Sequence, residues 1–264
     1  MLSKAQVKLI TSFQVKKFRE HHRKFIAEGG KLVLDLLQST YHLDTVFATK
    51  EWIVENQPIL TTFKPVLQEV TLAELERITA LSTASPVLAV VNIPNIPTDK
   101  FDVGKGLTLV LDDIRDPGNL GTIIRIADWF GISRIVCSES TVDLYNPKVI
   151  QGTMGSIARV SVTYSSLTSF FFTIPAGFPV YGTFLDGENI YNCNLPPDAI
   201  IIIGNESRGI SDEIAHFTTQ QLFIPGIHTI DPATHAAESL NASIATAIVC
   251  SEFRRRKLMN YPAL

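Results

Sequence analysis

The chain has 264 residues, 45% hydrophobic and 19% charged, with a formal net charge of −3. That profile describes an ordinary globular protein, long for one domain and comfortable for two. It excludes a membrane-spanning role, because no apolar run reaches the ~20 residues that a bilayer-crossing helix requires.

The N-terminus is basic and lacks the apolar core of a secretory signal, so a cytoplasmic location is expected. Residues 1–31 hold eight Lys or Arg against Glu20 and Glu28, a balance of +6 that leaves −9 for the remainder. A second basic cluster, Arg254-Arg255-Arg256-Lys257, closes the last predicted helix. Positive charge concentrated in this way suits contacts to phosphate as well as a solvated helix face. Cys137, Cys193 and Cys250 are widely spaced and lie mostly in apolar runs, which fits reduced, buried thiols better than disulfides or a metal cluster. No metal is expected.

In chain order, the pattern predicts a basic helix over 4–20, a strand at 25–29 and an apolar-periodic helix at 31–40. Strands at 45–49, 66–70 and 87–91 follow, with helices near 50–55 and 71–79. Residues 92–106 contain Pro94, Pro97, Gly104 and Gly106 with little periodicity and read as a linker. Beyond it, strands are predicted near 107–113, 134–138, 160–164, 179–184, 199–204 and 221–224. Helices are predicted near 119–130, 147–155, 165–172, 210–215 and 239–257. Such alternation implies a mostly parallel α/β sheet covered on both faces.

Three polar segments follow strand-like runs of this second half, where an α/β sheet usually carries its site. The first is DDIRDPGNLGTIIRIADWFG, 112–131. Asp116-Pro117-Gly118 makes a turn, and Asn119 is the expected helix cap. Leu120, Ile123, Ile124 and Ala127 form one core stripe, and Arg125 lies about 140° from Leu120 at roughly 100° per residue. A guanidinium there can hold a phosphate or a ribose oxygen. The second segment is IIIGNESRG, 201–209, whose glycines let backbone turn sharply beside Glu206. Its spacing is not the GxGxxG of dinucleotide-binding proteins. The third is ESLNASIATAIVCSEFRRRK, 238–257, where Ser239 or Asn241 can cap a helix rich in small residues. Taken singly, each also reads as a capped helix or a glycine-bearing surface loop.

Together and in this order, NLGxxxR, GNExxG and SLNxS resemble motifs one, two and three of the SpoU/TrmH branch of the SPOUT methyltransferases, over about residues 107–253. FIAEGGKLVLDLL, 25–37, is similar to the opening of the small substrate-binding domain that many members carry. The resemblance implies an RNA substrate-binding α/β domain over 1–95, a linker at 96–106, and over 107–264 a trefoil-knotted catalytic domain with a mostly parallel sheet. It implies a homodimer that transfers a methyl group from S-adenosylmethionine to a ribose 2′-hydroxyl of RNA, ribosomal RNA ahead of transfer RNA. By the same carry-over, Asn119, Arg125, Glu206, Ser239 and Asn241 are the catalytic set. Thr183, Leu185, Gly204, Glu206, Gly209, Ile224, Pro225 and Leu240 are the expected S-adenosylmethionine-binding positions. One departure is clear: the family reaches SLN a few residues after its IPMxG, whereas here IPG is followed by IHTIDPATHAAE. His228 and His235 lie in that insertion and carry no assigned role.

Two other functions are open to the same sequence. A non-catalytic RNA-binding or ribosome-assembly factor on this fold would be free to lose some of Asn119, Arg125, Glu206 and Asn241, which are all present. A nucleotide-dependent enzyme of the doubly wound type would need a glycine-rich loop after the first strand of a half, and none follows.

Overall fold

The computed structural model describes residues 1–95, 105–227, 237 and 239–259, without the side chains of 256–259. The chain falls into two compact units, one of Met1–Ile96 with Asp143–Arg159, the other of Pro97–Val142 with Val160–Leu264.

The first unit begins with helices α1 (Lys4–Ser12) and α2 (Lys16–His22), then β1 (Lys24–Glu28), α3 (Gly30–Leu37) and β2 (Leu43–Ala48). It continues through α4 (Lys50–Glu55), α5 (Gln57–Phe63), β3 (Leu67–Glu69), α6 (Leu72–Glu76) and β4 (Val87–Asn92). The sheet order is β1-β4-β2-β3, with β4 antiparallel to both neighbours and β3 parallel to β2. The single basic helix expected over 4–20 is broken into two. Phe13 turns into the core, Val15 is extended, and Arg19 donates to the carbonyls of Phe13 and Gln14 that the break leaves open, both at 2.9 Å. Helix α5 was not expected. Its Gln57-Pro58-Ile59 start carries proline in the first turn, where it is tolerated, but its β-branched residues obscure the helical pattern.

Residues 143–159 pack into this unit although the pattern groups them with the second half. They carry α8 (Pro147–Gly152). Arg19 reaches Asp143 at 2.6 Å, the rings of Phe25 and Tyr145 lie 4.8 Å apart, and Arg159 pairs with Asp35 at 3.3 Å.

The second unit holds β5 (Leu107–Leu111), α7 (Pro117–Trp129), β6 (Arg134–Cys137), β7 (Ser161–Tyr164) and α9 (Leu167–Phe172). After them come β8 (Val180–Phe184), β9 (Glu188–Asn189), β10 (Ala199–Ile203), α10 (Asp212–Ala215), β11 (Gln220–Phe223) and α11 (Ala242–Met259). Its seven strands run β7-β6-β5-β10-β8-β11-β9, every pair parallel, as the alternation implied. The central strands β5 and β10 are buried along their whole length, which is why they read as the Leu/Val/Ile-rich runs LTLVL and AIIII. Ile203 sits beside Leu111, so the chain leaves β5 and β10 at the same edge. Phe223 likewise sits beside Phe184, bringing the ends of β11 and β8 together. Four strands therefore deliver residues 112–113, 185, 204–205 and 224–225 to one carboxyl edge, where the strand order reverses and ligands of such sheets bind.

Candidate active site

At that edge the first polar segment starts a helix, but with a different cap from the one expected. Asp116, not Asn119, caps α7, accepting the Asn119 amide at 2.8 Å, with Pro117 in the first turn. Asn119 is displaced one turn into the helix, which releases its side chain for other work. Leu120, Ile123, Ile124 and Ala127 are fully buried, as the stripe required. Arg125 is exposed and, among the described residues, makes no hydrogen bond or ion pair.

The second segment is a closed turn. Asn205 and Gly209 exchange backbone hydrogen bonds at 2.9 and 2.8 Å, and the Asn205 carboxamide oxygen accepts from Ser207 and Arg208. The other end of that carboxamide donates to the Asp113 carbonyl at 2.8 Å. Gly204 is demanded by close approach, since a Cβ there would overlap the backbone of Gly209 and Ile210. Gly209 has φ +70°, a conformation that glycine adopts without strain. Asp112, 6% exposed, accepts both the amide and the hydroxyl of Ser211, at 2.8 and 2.7 Å. The turn is thus fastened at both ends to the two residues that follow β5.

In the third segment Asn241 is the cap. Its oxygen accepts the Ser243 amide and hydroxyl at 2.9 and 2.7 Å, and Ser239 and Leu240 stay exposed.

The three segments meet through one side chain. Asn119, 8% exposed, donates its Nδ2 hydrogen to Glu206 Oε1 and accepts from Asn241 Nδ2 at 2.9 Å. Glu206 can only accept, so it fixes which way the Asn119 amide faces. Of the five residues expected to be catalytic, Asn119, Glu206 and Asn241 are joined in this chain. Arg125 and Ser239 are not part of it.

Of the positions expected to bind a methyl donor, Thr183 bonds the Ile202 carbonyl at 3.2 Å, and Ile224 and Pro225 are half-buried beyond β11. Leu185 is 72% exposed and Leu240 45%. Asp112, Asp113, Asn205 and Ser211 were missed from the sequence. The available signal was an Asp-Asp pair directly after an apolar strand run, facing a Gly-Asn pair after another.

Cys137, Cys193 and Cys250 are buried and none is in a disulfide. Among the described residues there is no group of three or more His, Cys, Asp or Glu that could hold a metal, and no helix long and apolar enough to cross a membrane. His228 and His235 lie outside the described residues.

The chain is similar to known proteins in sequence and in fold. Residues 106–251 match the SpoU rRNA Methylase family, and residues 4–89 match the MRM3-like substrate binding domain. The chain is 29% identical over 255 residues to the 23S rRNA (guanosine(2553)-2′-O)-methyltransferase RlmP of Bacillus subtilis (strain 168), covering 94% of this chain and 96% of that protein. A solved TrmH-family structure from Porphyromonas gingivalis is 38% identical, with a TM-score of 0.85 over 97% of this chain and 99% of that one. The AdoMet-bound rRNA methyltransferase of Sinorhizobium meliloti is 28% identical, with a TM-score of 0.84 over 97% of this chain and 96% of that one. More than half of the sequence thus falls under one family description, and the chain belongs to the SpoU rRNA Methylase family.

Proposed function

We propose that the protein methylates a ribose 2′-hydroxyl of RNA with S-adenosylmethionine as donor, and that the RNA is ribosomal rather than transfer RNA. The observation that carries the reading is the Asn241–Asn119–Glu206 hydrogen-bond chain, which unites three segments far apart in sequence at one sheet edge. The ribosomal preference is supported by the full-length similarity to RlmP. A cytoplasmic location is part of the same proposal.

Bound S-adenosylmethionine would supply an electrophilic methyl group. Thr183, Leu185, Gly204, Glu206, Gly209, Ile224, Pro225 and Leu240 are proposed to hold it, the backbone of the two glycines lying close to the adenosyl part. Asn119 and Ser239 orient the ribose, and Glu206 holds the Asn119 amide in place. Arg125 is essential without being the literal base, since a guanidinium keeps its proton. Its charge stabilises the negative character that grows on the 2′-oxygen, whose proton passes to water at this exposed edge. Residues 1–95 are proposed to select the RNA, with the exposed Lys4, Lys8, Lys16 and Lys17 of α1 and α2 on phosphate, and residues 107–264 to carry the chemistry, 96–106 linking them. A homodimer is part of the same proposal, as the family resemblance implies.

The test is Arg125→Ala. S-adenosylhomocysteine should raise the melting temperature of both wild type and variant, as ligand linkage requires. Methyl transfer by the variant should fall on the order of 100-fold or more. Transfer near the wild-type rate would remove Arg125 from the mechanism. A wild type that neither methylates RNA nor responds to the cofactor product would instead favour a non-catalytic RNA-binding protein.

A further inference from the structure

Beside the turn that carries Glu206 stands a group of side chains that this mechanism does not use. Asp113 follows β5 with φ +58°, a left-handed conformation that costs a non-glycine residue on the order of 1–2 kcal/mol. It is held there from three sides: its amide donates to Ser138 Oγ at 2.9 Å, its carbonyl accepts from Asn205, and its carboxylate accepts Arg115 Nε at 2.9 Å. Ser138 is itself bonded to Ser140 and Thr141, at 3.1 and 3.0 Å. Strain maintained by this many neighbours is a mark of a functional position. Burial alone would raise the Asp113 carboxyl. The hydrogen bonds from Arg115 and Ser140 and the charges of Arg115 and Arg208 outweigh it and hold the group below the usual carboxylate range.

Two guanidinium groups act on this carboxylate, Arg115 by a hydrogen bond and Arg208 by its charge. Arg115 is tied through Nε alone, so its two terminal nitrogens have no partner among the described residues. Arg208 is placed by its backbone on the Asn205 oxygen, and its side chain is exposed without a partner among the described residues. Asp113 engages Arg115 through Nε alone, so both arginines keep open forks among the described residues. Planar forks of this kind fit phosphate oxygens in pairs. One arginine lies just ahead of the helix that carries Asn119, and the other is two residues past Glu206.

We propose that Arg115 and Arg208, set by Asp113, grip an RNA phosphodiester next to the target ribose and so register the substrate over the Asn119–Glu206 pair. The inference rests on the RNA-methyltransferase reading above. Both are positioning residues: they bind the backbone and do not touch the transferred methyl.

The experiment compares wild type, Arg115→Gln, Arg208→Gln and the double variant on 23S ribosomal RNA prepared from a host lacking this enzyme. KM for RNA is measured from 50 to 200 mM KCl, and binding of S-adenosylhomocysteine is measured by calorimetry. Each phosphate contact removed should lower the slope of log affinity against log salt by about 0.7 to 0.9. The loss should sit in KM for RNA, with S-adenosylhomocysteine binding as in wild type. Wild-type salt slopes in all three variants would overturn the proposal while leaving the methyltransferase reading intact. Weakened S-adenosylhomocysteine binding with unchanged RNA KM would also overturn it, by assigning the pair to the donor's carboxylate. A wild type that leaves this RNA unmethylated and unbound would overturn both readings together.

Discussion

Replacing Asn119 by alanine removes two hydrogen bonds at once, one to the neutral amide of Asn241 and one to the Glu206 carboxylate. A neutral bond contributes about 0.5–1.5 kcal/mol and one to a charged group about 1.5–3 kcal/mol. Their sum is about 2–4.5 kcal/mol. Glu206 is only half-buried, so water can replace part of what it loses, and the lower end is expected. A loss of about 2 kcal/mol lowers the melting temperature of a chain this size by roughly 4–8 °C. Calorimetry of Asn119→Ala, Asn241→Ala and the double variant isolates the pair, and a coupling of about 0.5–1.5 kcal/mol is expected between these contacting side chains. Additivity within about 0.3 kcal/mol, with an unshifted melt for Asn119→Ala, would show that the three segments are not joined through this amide.

Two further predictions use the same edge and the core beneath it. Gly204→Ala drives a methyl group into the Gly209–Ile210 backbone and should cost about 3 kcal/mol and abolish the S-adenosylhomocysteine-induced thermal shift. Gly209→Ala has open space and only its φ of +70° to overcome, so it should cost about 1–2 kcal/mol; a thermal melt that reverses this order refutes the close-approach argument. Burial pushes the Cys193 thiol up to about 11 and the Cys250 thiol up to about 12, and Cys137 is raised further still. Because a raised thiol pKa keeps the neutral form dominant throughout pH 6–9, a thiol-specific disulfide reagent at pH 8 should label none of them in the folded protein and all three in urea. Rapid labelling of the folded protein would contradict their burial.

What could be read in the sequence was what local pattern determines. The runs 107–111 and 199–203 are apolar but for Thr108 because β5 and β10 are covered on both faces, the pattern of a buried parallel strand. The stripe of α7 was legible for the same reason. The positions of Asn119, Glu206 and Asn241 were found by motif, but their bond to one another depends on strand register, which a linear pattern does not contain. The cap of α7 went to Asp116 because Pro117 prefers the first helical turn, and that shifted Asn119 from a backbone duty to a side-chain one. Asp112 and Asp113 were passed over since two carboxylates after a strand look like any solvated turn until Ser211 and Asn205 are brought against them from another strand's end. The break between α1 and α2 was hidden likewise, because it is stabilised by Arg19, six residues downstream of the carbonyl it satisfies.

The allegiance of residues 143–159 bears on how enzymes of this build could be recombined. A graft that exchanged only 1–95 for the equivalent stretch of a relative would leave a native segment seated in a foreign host. The incoming piece would have to bring its own counterparts of Arg19 for Asp143, Phe25 for Tyr145 and Asp35 for Arg159. The exchangeable cassette is therefore discontinuous, and retargeting toward another RNA means transplanting two pieces of chain together.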